Sequence, residues 1–328
     1  MLFEAIVETS SRVAATRARN EKIAAIAALL GDLAVDEIEP AVGFLTGAAR
    51  QGRIGIGWAT LAALDSPGAT QPSLTVTDVD DVISALQGTT GAGSTEIRRD
   101  ALRALFGRAT VDEVDFLRRL LLGELRQGAL AGLMGDAIAR AAGVPAAVVR
   151  RAAMLSGDLG ATARVALTEG EPALRATRLQ VLQPVLPMLA STAPDAASAI
   201  ATTGEASVEW KLDGARVQVH RDGDDVRIFT RNLNDITDRL PDVVDLVRTF
   251  PARSFVLDGE AIGVDDDARP RPFQHTMSDF SRDTTPAVRS LQAFFFDVLH
   301  VDGEDLLDAP LSERLDVLGR LAPDCTVP

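Results

Sequence analysis

Through the first 190 residues the apolar positions recur at three- and four-residue intervals, the period of an α-helix. Glu21–Leu33 aligns Ile23, Ile26, Leu30 and Leu33 on one face. Thr77-Asp78-Val79-Asp80 opens a helix whose inward positions are Val79, Val82, Ile83 and Leu86. Thr110-Val111-Asp112-Glu113 sets a hydroxyl three residues before a carboxylate, the reciprocal capping pattern, ahead of the apolar run Val114–Leu122. Pro145 suits the first turn of another helix, where its missing N–H costs nothing. Gly123, Gly128, Gly132 and Gly135 punctuate one run. Two readings of them stay open: a bend whose N–H groups approach a phosphate, or close helix packing. No period of 20–50 residues repeats, so the chain is not read as a solenoid.

The texture changes after Pro184, Pro187 and Pro194, which bracket an Ala/Ser/Thr-rich stretch and predict a linker over residues 191–204. Beyond it, ASVEWKL, ARVQVHRD and DVRIFTR alternate apolar and polar residues at the period of a strand. Asp222-Gly223 between two of these runs is a hairpin signal. Pro241–Phe250 and Leu311–Leu321 read as helices, SFVLDGEAIGVD and AFFFDVLHVDG as strands. The expected organisation is multidomain: an all-helical domain over 1–190, then a mixed α+β domain with antiparallel hairpins over 205–328.

A length of 328 residues and 46% hydrophobic content are enough for two cores. The single cysteine, Cys325, excludes a disulfide scaffold and a cysteine-rich zinc or iron–sulfur site. No apolar run is long enough to span a membrane, and the acidic N-terminus argues against export, so a cytoplasmic location is expected. The net charge of −14 argues against a generally nucleic-acid-coating surface. It is uneven, however: residues 1–200 hold 19 bases and 22 acids, residues 201–328 hold 14 and 25. In the first part arginines come in pairs (Arg17/Arg19, Arg50/Arg53, Arg98/Arg99, Arg118/Arg119, Arg150/Arg151), which as a set suggest one face for a phosphate backbone.

Only two lysines, Lys22 and Lys211, stand in a chain that otherwise uses arginine. An amine can lose its proton and act as a nucleophile, whereas a guanidinium stays charged. Lys211 lies in Glu209-Trp210-Lys211-Leu212-Asp213-Gly214-Ala215-Arg216, where a strand is expected to run into a turn and Asp213 can orient the amine. Trp210 reads as a packing residue. Phe229-Thr230-Arg231-Asn232 ends the next hairpin and offers a guanidinium for phosphate. Leu257-Asp258-Gly259-Glu260 places a carboxylate that can take a ribose hydroxyl or a metal-bound water. Arg271-Pro272-Phe273-Gln274 follows. In Phe294-Phe295-Phe296-Asp297 alternation sets Phe295 opposite its two neighbours, leaving an aromatic that can stack on a purine. The three histidines, His220, His275 and His300, lack ligand spacing, and Asp265-Asp266-Asp267 reads as a solvated loop.

The ordered series EWKLDGAR, FTRN, VLDGEAI, RPFQ and FFFDVLHVDG resembles nucleotidyltransferase motifs I, Ia, III and IIIa, and most closely those of ATP-dependent DNA ligases of bacterial, actinobacterial type. LLLGELRQGALAGLMGDAIA resembles the helical DNA-binding domain that precedes the adenylation domain in that group. The resemblance covers nearly the whole chain. It implies an ATP-grasp-like antiparallel sheet in the second domain, ATP and Mg²⁺ as cofactors, nicked duplex DNA as partner, and a monomer. It further implies that Lys211 takes AMP from ATP, Glu209 meets the adenine amino group and Arg216 meets the ribose or the phosphate side. Arg231 would hold phosphate, Glu260 the ribose hydroxyl and the metal, and Phe296 the adenine ring.

The family continues with a motif IV carboxylate, a motif V lysine pair and an OB-fold domain, and this sequence has no lysine after Lys211. The chain is therefore expected to be an N-terminal portion with an incomplete adenylation domain, impaired or inactive alone. Two alternatives use the same Lys-x-Asp-Gly pattern or none of it: an RNA ligase or GTP-using capping enzyme, and a non-catalytic DNA-binding fragment. NAD-dependent ligases are disfavoured because their nicotinamide module carries a tyrosine and this chain has none.

Overall fold

The computed structural model describes residues 1–52, 54–64, 68–125, 130–263 and 291–327. Arg53, Gly128, Asp265-Asp266-Asp267, Arg271-Pro272-Phe273-Gln274 and His275 lie outside the described residues. The chain divides into two compact units: Met1–Ala153 with Asp158–Thr177, and Met154–Gly157 with Arg178–Pro328. Residues 178–190, grouped with the helical half on the sequence pattern, thus fall in the second unit.

The described part of the first unit is helical. Its helices are α1 (Glu4–Ala15), α2 (Arg19–Gly31), α3 (Val35–Thr46), α4 (Trp58–Ala62), α5 (Val76–Gly88) and α6 (Ser94–Arg108). There follow α7 (Val111–Leu122), α8 (Leu130–Ala142), α9 (Ala146–Ser156, its C-terminal turn in the second unit), α10 (Leu159–Thr168) and α11 (Glu171–Ala176). Phe3 anchors the core, meeting Phe44 and Phe116 edge-on at 5.6 Å each. The reciprocal cap forms at α7: Thr110 accepts from the Glu113 N–H and Glu113 accepts from the Thr110 N–H at 2.8 Å. The cap of α5 is Thr75, two residues before the expected Thr77, with Asp78 as its carboxylate. Gly132 and Gly135 lie inside α8, which packs on α2, so they make no bend. Gly123 does turn the chain, capping α7 at φ +70°.

In the second unit β1 (Ala215–Asp222), β2 (Asp225–Thr230), β3 (Ser254–Gly263), β4 (Leu291–Val301) and β5 (Glu304–Asp305) form one antiparallel sheet in the order β2-β1-β3-β4-β5. Helices α12 (Ala196–Thr203), α13 (Pro241–Arg248) and α14 (Leu311–Leu321) accompany it. Thus the expected linker contains a two-turn helix, capped by Asp195. One sheet face carries the core: Val217, Val219, Phe255, Leu257 and Phe295 pack with Val243 and Val247 of α13 and Leu318 and Leu321 of α14. The expected strand ASVEWKL does not form. Its apolar positions Val208 and Trp210 are 88% and 75% exposed, so that face has nothing to bury against, and alternation alone does not make a ladder.

Two irregularities shape β4. Asp258 pairs with Asp297 and Gly259 with Phe295, leaving Phe296 without a partner; Val256 pairs with His300 and Leu257 with Val298, leaving Leu299 without one. Each bulge turns an extra side chain off the core face. Phe295 and Val298, three residues apart, therefore share the core, while Leu299 packs on the opposite face with Leu155, Leu179, Val185 and Val256. Gly259 leaves no room for a side chain between β3 and β4: an added Cβ would lie 2.4 Å from the Phe294 carbonyl oxygen.

That opposite face is crossed by residues 178–189, a strap without regular structure. Its backbone groups need partners, and β1 side chains supply them. The Leu182 N–H donates to His220 Nδ1 at 3.1 Å, and the Val185 N–H to Gln218 Oε1 at 2.8 Å. His220 Nε2 lies 2.9 Å from the same Gln218 oxygen, so the hydrogen-bond pattern assigns the ring proton to Nε2. Fully buried, His220 is pushed down to about 3, by desolvation first and by His300 second.

Below its ordinary value near 6.5 the unfolded imidazole binds a proton that the folded one refuses until about pH 3. Stability is therefore lost as pH falls through that window, by up to about 1.4 kcal/mol per pH unit. Urea unfolding of the wild type at pH 7 and pH 5 is expected to show a drop of about 2 kcal/mol from this source, and His220→Gln is expected to lose that slope. Gly259→Ala is expected to cost about 2–3 kcal/mol by overpacking β3 against β4, measured as a fall in the thermal midpoint.

Candidate nucleotide site

A cleft of about 200 Å³ opens on the strap side of the sheet, lined by Glu209, Trp210, Lys211, Leu212, Arg216, Glu260, Phe296 and Val327. Five of the six side chains singled out in the sequence thus share one cavity. The sixth, Arg231, does not line it. It follows β2 and lines a neighbouring crevice with Pro187, Thr230 and Asp258, meeting the cleft through Arg216, which borders both.

Pairing explains the convergence. Arg216 of β1 lies opposite Glu260 of β3, and Glu260 opposite Phe294 of β4. Side chains two residues apart share a face, so Arg216, Asp258 and Glu260 project together. Phe296, two residues from Phe294, falls on this side by alternation, the first bulge of β4 keeps Asp297 there as well, and the Arg216 guanidinium stands 5.5 Å from the Phe296 ring centre. Val327 arrives from the C-terminal segment, where Thr326 bridges to Phe295 in parallel and the Val327 N–H donates to the Phe295 carbonyl at 2.9 Å.

Arg216 is held by a fork. Its Nε and Nη2 donate to the two oxygens of Asp258 at 2.9 and 2.5 Å, and its Nη1 donates to the Met188 carbonyl of the strap at 3.0 Å. The Asp258 side chain is 9% exposed, and burial pushes its carboxyl upward against the pull of Arg216. The guanidinium, raised by Asp258, stays charged. Asp258 was not among the candidates; period-2 alternation from Glu260 and the arginine two strand positions away were the available signals.

Lys211 is exposed and belongs to no strand, correcting its expected place at a strand end. Its segment is tied down three residues later. The Gly214 N–H donates to Glu260 Oε1 at 3.1 Å, and Gly214 passes so near β3 that an added Cβ would lie 2.4 Å from the Ala261 carbonyl oxygen. Only glycine fits there. Burial pushes the Glu260 carboxyl up, while the Gly214 N–H, Lys211 and Arg216 oppose the shift. Trp210, expected to pack, is instead largely exposed at the cleft rim.

No group of three or more His, Cys, Asp or Glu side chains able to hold a metal occurs among the described residues. Asp258 is taken by Arg216, and Asp297 accepts from Arg314 at 2.7 Å. Glu260 keeps one oxygen outside its bond to Gly214. That fits Mg²⁺ delivered with a nucleotide, which needs one or two carboxylates besides phosphate, and does not fit a preformed protein cage. No helix among the described residues is long and apolar enough to cross a membrane.

Residues 187–325 match the family model described as the ATP dependent DNA ligase domain, and residues 64–138 match the one described as DNA ligase N terminus. A protein of Saccharopolyspora erythraea named "Probable DNA ligase" is 53% identical over 328 residues, covering 100% of this chain and 64% of the relative. One of the same name from Nocardia farcinica is 48% identical over 351 residues, covering 100% of this chain and 67% of the relative. The solved structure named Pmar-Lig_PreS3, at 17% identity, shares the fold with a TM-score of 0.50 over 89% of this chain and 56% of its own. The chain spans about 64% of the length of the first of these relatives. On the two family models and on relatives near 50% identity along its whole length, the chain belongs to the ATP-dependent DNA ligase family.

Proposed function

We propose that the cleft binds ATP and transfers its AMP to Lys211, the first step of sealing a nick in duplex DNA. The observation that carries this reading is the convergence of Glu209, Lys211, Arg216, Glu260 and Phe296 on one cavity. Adenine stacks on Phe296 and its amino group donates to Glu209. A ribose hydroxyl donates to Glu260, and Arg216 faces the phosphate side. The Lys211 amine, once its proton has passed to solvent, attacks the α-phosphorus. A nitrogen–phosphorus bond forms, the bond to the bridging oxygen breaks, and pyrophosphate leaves with the electron pair. Glu260, through its open oxygen, would hold the Mg²⁺ that comes with ATP, and the ion would supply neutralisation of phosphate charge.

The AMP then passes to a 5′-phosphate of the nick, where exposed Arg231 beside the cleft offers its guanidinium, and the 3′-hydroxyl displaces it. The helical unit grips the duplex backbone. Several of its paired arginines hold their own acids: Arg19 and Arg150 both donate to Asp136, Arg50 to Asp80, and Arg119 to Asp115. These arginines remain 44–59% exposed. Pairs at the surface are worth about 0–1 kcal/mol, so phosphates can compete for Arg19, Arg119 and Arg150, whereas Arg50 is held by the buried Asp80. The same reading takes the protein to act as a monomer in the cytoplasm.

Incubation with ATP and Mg²⁺ followed by intact mass measurement is expected to show a gain of one AMP, in low yield, that Lys211→Ala abolishes. An identical gain in the variant would reject Lys211 as nucleophile. No gain in this chain or in one extended to the full length of its relatives would reject the reading. Phe296→Ala is expected to weaken ATP binding by roughly 1–3 kcal/mol, the worth of one base–aromatic stack, measured by titration calorimetry.

A further inference from the structure

Three alternate residues of β1, Arg216, Gln218 and His220, each grip the backbone of the strap. Arg216 holds the Met188 carbonyl at 3.0 Å. Gln218 accepts from the Val185 N–H at 2.8 Å and donates to the Val185 carbonyl at 3.3 Å. His220 accepts from the Leu182 N–H at 3.1 Å. The strap numbers fall as the β1 numbers rise, so it runs antiparallel to β1 with side chains in place of ladder hydrogen bonds. Leu179 and Val185 are pegged on Val256 and Leu299. Leu182 takes the left-handed conformation at φ 69°, which a residue with a side chain seldom adopts unless its surroundings hold it.

The row ends inside the cleft. A guanidinium has five N–H donors. Asp258 takes one from Nε and one from Nη2, and Met188 takes one from Nη1, leaving one on each terminal nitrogen. Asp258 fixes the plane of the fork, and the strap fixes which donor is spent. Gln218 and His220 do not themselves line the cleft; Gln218 borders the neighbouring crevice together with Arg216.

We propose that Gln218 and His220 are positioning residues of the cleft: by seating residues 182–188 they put the Met188 carbonyl on Arg216 and so decide which guanidinium donors face the nucleotide. The inference rests on the reading of the cleft as a nucleotide site. Coupling of this kind is reciprocal, so a nucleotide that engages Arg216 also tightens the strap.

Amide hydrogen exchange of the wild type, with and without Mg²⁺ and the non-reactive analogue α,β-methylene-ATP, tests it. The Gly214 amide, bonded to Glu260, reports on the cleft; the Leu182 and Val185 amides report on the strap. Expected is a slowing of about fivefold or more at all three. Slowing at Gly214 with no change at Leu182 and Val185 overturns the coupling and leaves the cleft reading standing. No change at any of the three at saturating analogue overturns the cleft reading and the inference together. A double-mutant cycle separates positioning from mere stability. Gln218→Met is expected to weaken analogue binding about tenfold in the wild type and less than twofold in an Arg216→Met background, with Gln218→Glu recovering part of the loss. An equal loss in both backgrounds overturns the proposal. If Gln218→Met does not fold, the exchange data on the wild type decide.

Discussion

Arg216 and Asp258 form a two-bond ion pair between neighbouring strands of the sheet, with both side chains mostly withdrawn from water. A guanidinium in such a place cannot shed its charge, so every group around it must be compatible with a fixed cation. Removing one partner from a buried pair costs about 3–5 kcal/mol, because the other is left charged and unpaired. The rest of the cleft is arranged on this pair. Phe296 offers a ring face to the cation, the Met188 carbonyl takes a third donor, and Glu260 sits one pleat away on β3. The strap, the bulge in β4 and the turn at Gly214 all converge on one guanidinium.

The helices were legible because each carries its own information. Thr110 and Glu113 cap their helix with residues three apart, and Leu311–Leu321 has the bounds its periodicity predicts. Hairpins were equally local: Gly223 turns the chain at φ +62° beside the pair Asp222 and Asp225. What escaped was non-local. Alternation assigns Asp297 to the face of Phe295, and the bulge puts Val298 there instead. No short-range signal marks that bulge, because it arises from fitting β4 to β3. ASVEWKL has the alternation of a strand, yet a strand needs a partner edge, and period alone does not supply one. The candidate residues of the cleft were legible as types, Lys211 because the chain otherwise spends arginine and Glu260 because a carboxylate follows Asp-Gly. The binding of the strap by Gln218 and His220 was not, since those residues read as ordinary members of an alternating run.

The arginines of the helical unit make a related point about reading charge from spacing. Arg98, half of one pair, donates to the Leu86 and Ile54 carbonyls, closing a helix end onto a loop. Arg118 of another pair reaches the Leu64 carbonyl. These two guanidinia serve the fold by satisfying carbonyls that a helix terminus or loop leaves open. Arg19, Arg119 and Arg150 are different, because their partners are carboxylates at the surface. An incoming phosphate exchanges one anion for another there, at little cost. A basic face is therefore better judged from the partner each arginine holds than from arginine pairs in sequence.

The nucleophile candidate itself lies outside the sheet that holds Arg216, Glu260 and Phe296. Lys211 is exposed on a segment with no ladder, and what places it is the bond from the Gly214 N–H to Glu260, three residues on. That bond is charge-assisted only while Glu260 is ionised, and a neutral acceptor is roughly half as strong. Burial raises the Glu260 carboxyl above its ordinary range, so as pH falls this tie weakens sooner than an exposed glutamate would allow. An anionic ligand in the cleft would raise the Glu260 carboxyl further, and a cation brought with that ligand would lower it again. The position of the lysine and the charge of what it meets are thus linked through one carboxylate. The same carboxylate is tuned by the guanidinium on the facing strand, which ties the placement of Lys211 back to Arg216.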